Sequence, residues 1–166
     1  MRRERIRYWI LTDTHLGHDN MIEYCRRPED FSERILKNLK FIEPEDILIH
    51  LGDICIRRDA YWNNLFLSNL QCRKWLIKGN HDRKSNTWYL EHGWDVVACR
   101  LDMQMYGYHI AFSHQPLSDD DSFDLNIHGH HHNTLHHPED EVNAKHRLVF
   151  IEHEYKPIML KHIIGK

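Results

Sequence analysis

The chain has 166 residues, 41% hydrophobic and 28% charged, which suits one domain with its own core and argues against a multidomain arrangement. Its 22 Lys and Arg stand against 25 Asp and Glu, a formal net charge of -3, so no global basic field gathers nucleic acid or anionic lipid. No apolar run approaches the roughly 18 residues of a membrane span, and the stretch Tyr8 to Leu11 after the basic start Met1-Arg2-Arg3 is too short for a signal-peptide core; the expectation is a cytoplasmic protein with no membrane partner.

The apolar and aromatic run Ile6 to Thr12 predicts a buried strand ending at Asp13-Thr14-His15, with Gly17 close behind. From Asp30 onward, Phe31, Ile35, Leu36, Leu39 and Ile42 recur at helical spacing, opened by Pro28 and Asp30 and closed by Pro44. Ile47 to Leu51 reads as a second strand, ending at Gly52-Asp53, and Tyr61 to Leu70 as a second helix. A third strand, Trp75 to Lys78, ends at Gly79-Asn80-His81-Asp82, and a helix from Asn86 to His92 follows. The second half is richer in strands: Val96 to Leu101, Tyr108 to Ser113, Leu125 to His128 and Leu148 to Glu152. Leu117 to Asp124, with its knot Asp119-Asp120-Asp121, reads as an exposed acidic loop. Alternating short strands and helices indicate a layered α/β fold, and no repeat or linker divides residues 1–166.

The four cysteines, Cys25, Cys55, Cys72 and Cys99, are scattered without a CxxC pair, which argues for reduced, mostly buried thiols. Sixteen histidines exceed what packing requires. Five expected strand ends carry possible metal ligands: Asp13 and His15, Asp53, Asn80, His114, and His130 with His132. In a buried α/β sheet, side chains at the carboxyl ends of strands converge on one edge. Carboxylates, an amide oxygen and imidazoles without thiolate suit Mn, Fe, Zn or Ni better than Mg or Ca, and the set exceeds what one tetrahedral ion uses. It suffices for two ions sharing a carboxylate, with positions open for water and substrate.

The blocks Asp13-Thr14-His15, Gly52-Asp53, Gly79-Asn80-His81-Asp82, His114 and Gly129-His130-His131-His132 resemble, in that order, the pattern of the calcineurin-like metallophosphoesterases. Asp13-Thr14-His15-Leu16-Gly17-His18, Cys25-Arg26-Arg27-Pro28, His50-Leu51-Gly52-Asp53 and, loosely, Tyr155-Lys156-Pro157 are similar to a small, uncapped bacterial or phage branch. The resemblance implies a four-layer sandwich of two mixed β-sheets flanked by helices. It also implies two divalent transition metal ions, with manganese the first expectation. Asp13, His15, Asp53 and His132 would hold one ion; Asp53, Asn80, His114 and His130 would hold the other, with Asp53 as the bridge. A hydroxide between the metals would attack the phosphate in line, His81 would protonate the departing oxygen, and Asp82 would favour the His81 imidazolium and fix its ring.

The other histidines carry weaker signals. His128 reads as a strand residue that finds a hydrogen-bond partner, and alternation turns His131 away from His130 and His132. His136 and His137 read as loop residues near Pro138, and His92, His109, His146, His153 and His162 as surface. His18, Arg26 and Arg27 stand near the first block, where a solvated face is preferred to phosphate contact. The tryptophans read as core or rim packing.

The expected activity is a dinuclear phosphodiesterase. Its rivals are a phosphomonoesterase or protein phosphatase with the same site, and a binding scaffold of this fold that has lost its metals. The acidic balance and the lack of a basic, aromatic-studded stretch argue against nucleic acid as substrate. The phosphate-ester substrate and the oligomeric state are not readable from these residues.

Overall fold

The computed structural model describes residues 6–118, 122–134 and 142–166. The start Met1-Arg2-Arg3, the knot Asp119-Asp120-Asp121 and His136 with His137 lie outside the described residues.

In chain order the elements are β1 (Tyr8–Leu11), α1 (Asn20–Tyr24), α2 (Phe31–Lys37), β2 (Ile47–His50), α3 (Asp59–Leu67), β3 (Arg73–Ile77) and α4 (Asn86–Glu91). The second half adds β4 (Val96–Ala98), β5 (Arg100–Met105), β6 (Tyr108–Ser113), β7 (Leu125–His128), β8 (His146–Leu148), β9 (Ile158–Met159) and α5 (Leu160–Ile163). One sheet has the order β4-β3-β2-β1-β9 and the other β5-β6-β7-β8. In the first, β1 to β4 run parallel and β9 antiparallel; in the second, β5 is antiparallel to β6 and the other pairs are parallel. Two mixed sheets flanked by helices are therefore the architecture.

Alternation along the strands decides what each face buries. Ile10, Ile47, Ile49 and Ile77 from the first sheet meet Ile110, Phe112, Leu125 and Ile127 from the second, forming the core between the sheets. The opposite faces of β1, β2 and β3, through Leu11, Leu48 and Leu76, pack on Met21, Phe31, Ile35 and Phe66 of the helices. The first sheet is thus covered on both sides, as its apolar strands require.

Several boundaries differ from the sequence expectation for identifiable reasons. The run Val96 to Leu101 is not one strand: Val97 pairs with Leu76 in the first sheet and Leu101 with Phe112 in the second, and the chain changes sheets at exposed Cys99. The other three cysteines are buried. The helix expected to reach Ile42 ends at Lys37, and its apolar positions continue through tighter turns in which Leu39 and Ile42 donate to Leu36 and Leu39 carbonyls. The helix expected over Tyr61 to Leu70 likewise runs Asp59–Leu67 and stops short of Leu70. Leu148 ends β8 instead of starting a strand, because the chain then turns and carries Glu152 toward the site.

Candidate metal centre

Strands β1, β2 and β3 of one sheet and β6 and β7 of the other deliver their following loops to one edge. Asp13, His15, Asp53, His130 and His132 all have positive φ, from 44° to 72°. Such a conformation costs an L-residue roughly 1 kcal/mol or more, so surrounding contacts must impose it. Asp13 N donates to Gly52 O at 2.9 Å and His15 N to Asp53 O at 3.0 Å, which locks the first two loops together. Arg27 donates to the Asp13 and Thr14 carbonyls at 2.7 and 2.8 Å. His50, wholly buried, accepts the Gly52 N–H at Nδ1, so its Nε2 carries the proton and donates to Thr14 Oγ1 at 3.1 Å. Burial drives the His50 pKa down to about 3, which keeps the ring neutral for both bonds.

The glycines of the motifs follow from close approach. A Cβ on Gly129 would collide with Thr12 Oγ1 and Asp13 Oδ2, and one on Gly79 with the Asp53 carboxylate.

The donor atoms then converge. Asp13 Oδ2 accepts from Thr12 Oγ1 at 2.5 Å and from His130 N at 2.9 Å, whereas Asp13 Oδ1 is buried with no hydrogen-bond partner. That oxygen lies 3.8 Å from His15 Nε2 and 4.0 Å from His132 Nε2. Asp53 Oδ1 accepts the His81 N–H at 2.8 Å, and Asp53 Oδ2 lies 3.6 Å from His15 Nε2 and 3.4 Å from His114 Nε2. His114 Nε2 is in turn 2.9 Å from Asn80 Oδ1 and 3.1 Å from His130 Nδ1. One oxygen of Asp53 therefore stands between two groups of donors.

Two of the remaining ring nitrogens are committed elsewhere. His114 Nδ1 donates to Leu51 O at 2.8 Å and His132 Nδ1 to Glu152 Oε1 at 3.1 Å, leaving each Nε2 toward the cluster; metal-binding histidines are oriented in this way. Burial lowers the His15 pKa to about 2, so its ring is neutral. Burial opposes charge on His114, yet the Asp53 hydrogen bond and the charges of Asp13 and Asp53 prevail and raise it to about 9. At His132 burial is likewise outweighed by its bonds to Cys25 and Glu152, and the pKa rises to about 10. For Asp53, burial is overcome by His114 and His15, and its carboxyl sits below the ordinary range. At His114 and His132 the field of the carboxylates thus favours positive charge, whereas burial lowers the pKa of His15 and His130. A partnerless buried carboxylate oxygen among imidazole nitrogens, within such a field, fits divalent cations. Asp13, His15 and His132 form one group able to hold an ion and Asp13, Asp53 and His114 another, their donor atoms all within 4.8 Å.

All seven expected ligands, and His81, thus lie at one edge. The His81 ring stands edge-on to His15 with centroids 5.4 Å apart, and its Nε2 is 4.0 Å from Asp53 Oδ2. Asp82 differs from expectation: its carboxylate turns inward and accepts the backbone N–H groups of Asp53 at 2.7 Å, Ile54 at 3.1 Å and Gly79 at 2.8 Å. It clamps two loops together instead of facing the His81 ring, and burial raises its pKa to about 6. Arg27 is not on a solvated face either, being 2% exposed and paired with Glu152. Arg26 is exposed, and His18 is half-buried with its ring 6.0 Å from that of His15.

Strand alternation does not govern His131, because its neighbours have positive φ; it is buried edge-on to His128. His128 itself is wholly buried, with Nδ1 3.1 Å from Gly129 O. His146 is buried rather than at the surface, with Nε2 donating to Leu117 O at 2.7 Å. Glu152 is the site residue that the sequence reading missed; nothing in its spacing signals a partner as distant as Arg27.

Comparison with known proteins gives the family and the fold. A family model described as calcineurin-like phosphoesterase matches residues 6–162. An uncharacterized protein of Methanocaldococcus jannaschii is 28% identical over 170 residues, covering 94% of this chain and 88% of that protein. The crystal structure of a protein of unknown function from Aquifex aeolicus superposes with TM-score 0.76 at 26% identity, covering 97% of this chain and 99% of that one. The Pseudomonas putida nuclease MPE has the same fold, with TM-score 0.50 at 20% identity over 75% of this chain and 61% of the nuclease. Among the described residues no helix is long and apolar enough to cross a membrane. The chain belongs to the calcineurin-like phosphoesterase family, metal-dependent hydrolases of phosphate esters, and carries at one sheet edge the His and Asp clusters able to hold the metals.

Proposed function

We propose that this protein is a dinuclear metal-dependent phosphodiesterase. The observation that carries the reading is Asp53 Oδ2, 3.6 Å from His15 Nε2 and 3.4 Å from His114 Nε2, an acceptor shared by two donor groups. Asp13, His15, Asp53 and His132 would hold one cation and Asp53, Asn80, His114 and His130 the other; the native ion is taken as manganese. When bound, the cations supply an activated water and offset charge on the phosphoryl oxygens. Neutral His15 offers a lone pair without first losing a proton. His81, about one-third exposed, stands where it can deliver a proton to the departing ester oxygen.

The preference for diesters rests on open space on both sides of this edge. A cleft of about 500 Å³ lies beside His81, and another of about 360 Å³ beside Asn80 and His114. A diester has an arm for each, whereas a monoester fills one.

The test is hydrolysis of bis(p-nitrophenyl) phosphate beside p-nitrophenyl phosphate by metal-stripped protein with Mn, Ni, Zn or Mg restored in turn. Diester turnover should return with a transition metal and exceed monoester turnover. A monoester preference would make the protein a phosphatase, and no hydrolysis with any metal would favour the scaffold. His81→Ala should keep the metals and slow alkyl leaving groups by about 100-fold or more, with a smaller loss for nitrophenolate, which needs little protonation. Equal losses across leaving groups would remove His81 from the acid role.

A further inference from the structure

The loops after β2 and β3 bring Arg57, Arg58, Arg83 and Lys84, all exposed, to the side of the edge on which His81 lies. Arg57, Arg83 and Lys84 line the 500 Å³ cleft together with His81. Lys84 and Asp59 are shared with an adjoining cavity of about 350 Å³ walled by Arg58, Tyr61 and Trp88. The two cavities therefore adjoin in a groove leading away from the site, with Asp59 the one carboxylate among the described residues that line it. Aromatic rings and cations alternate along it: the Arg58 guanidinium lies over the Tyr61 ring at 4.3 Å, and Lys84 Nζ lies 5.8 Å from the Trp88 ring, which is itself stacked on His92 with centroids 3.8 Å apart. Tyr61 is 49% exposed.

We propose that this groove binds single-stranded nucleic acid, with Arg57, Arg83 and Lys84 meeting the phosphates beside the scissile bond and the exposed Tyr61 ring stacking on a base. The proposal rests on the phosphodiesterase reading of the neighbouring site and names its substrate class. Cations spaced along an open groove track a phosphate backbone, and an exposed aromatic ring takes a base that is not stacked in a duplex. The net charge of -3 does not oppose this, because the relevant field is that of the groove walls. An acidic peptide would use the cations alone and make no use of the exposed Tyr61 ring.

The test is fluorescence anisotropy of the purified full chain with a labelled phosphorothioate oligothymidylate of about ten nucleotides, which keeps its charge and resists cleavage. The wild type should bind. Arg83→Ala/Lys84→Ala should weaken binding at least tenfold and lower the slope of log K against log salt by roughly 1.4, the loss of two phosphate contacts on a single strand. Tyr61→Ala should weaken binding about fivefold and leave the salt slope unchanged, since a stacked base releases no counterion. An abasic strand of equal length should bind about tenfold more weakly than the thymidylate. No wild-type binding, no effect of the double substitution, or equal affinity for the abasic strand would overturn the proposal. The same preparation is assayed on bis(p-nitrophenyl) phosphate. Turnover without strand binding sinks the groove and spares the hydrolase, while strand binding without turnover of any diester does the reverse.

Discussion

Asp53 and Asp82, on the loops after β2 and β3, show how neighbouring loops can carry carboxylates with opposite tasks. Asp53 turns Oδ2 toward His15 and His114, so Asp53→Asn should weaken both ions together. Metal content after dialysis measures this, and retention of two tightly held ions would remove Asp53 from the shared position. Asp82, 4% exposed, spends its carboxylate on the N–H groups of Asp53, Ile54 and Gly79. Asp82→Ala leaves those donors buried without partners and should cost about 3 kcal/mol or more in urea unfolding. A change below about 1 kcal/mol would show that the loops are held by other contacts. The site residues at strand ends were legible because the chemistry demands particular side chains next to short glycine turns. The true partners of Asp82 were not, since nothing in Asn80-His81-Asp82 says which way a carboxylate turns. Arg27 and Glu152 were illegible for a related reason: their pairing depends on the approach of segments remote in sequence.

At the scale of elements, the end of the sheet away from the site has its own fastening. Asp46, just before β2, accepts from Arg7 at 2.9 and 2.8 Å, from Trp9 Nε1 at 3.0 Å and from Glu43 N at 3.1 Å, tying the start of β1 to the start of β2. Burial would raise its pKa, but the bonds from Arg7, Trp9 and Glu43 prevail and hold it below 3.8. Because the folded value lies below the unfolded one, the stabilisation is fully present above the unfolded value and is lost as pH falls through the folded one. Asp46→Asn should therefore destabilise by about 2 kcal/mol near pH 6 and by progressively less as pH falls below the ordinary aspartate value of about 3.9. A pH-independent difference in urea midpoints would exclude this linkage. Strands such as Tyr108–Ser113 and Leu125–His128 were legible to the residue because each apolar run is bounded by turn residues. The strands missed are those that tertiary pairing alone defines: Ile158–Met159, too short for a pattern, and the β4 to β5 passage, where one apolar run serves two sheets. The basic, aromatic wall beside His81 was illegible in the same sense, since Arg57 to Tyr61 and Arg83 to Trp88 come together only after β2 and β3 pair.

For the whole molecule, the candidate metal centre lies where the interface between the two sheets changes character. Most of that interface is apolar, built on Ile49, Ile77, Phe112 and Ile127. At the edge it becomes a cluster to which the first sheet contributes Asp13, His15, Asp53 and Asn80 and the second His114, His130 and His132. Cations bound there connect the sheets and have no comparable site in the unfolded chain, so binding should stabilise the fold by mass action. With free metal at about 100 times its dissociation constant the gain is about 2.7 kcal/mol, which for a chain of this size raises Tm by roughly 5 to 10 °C. Chelation should reverse the shift. His114→Ala, which removes a donor of the second sheet alone, should reduce it even though every donor of the first sheet remains. Scanning calorimetry with and without metal tests both statements. An unchanged Tm on adding metal would mean that the cluster binds cations weakly or not at all; a full shift in His114→Ala would mean that the first sheet holds them unaided and that the two sheets are joined by their apolar core alone.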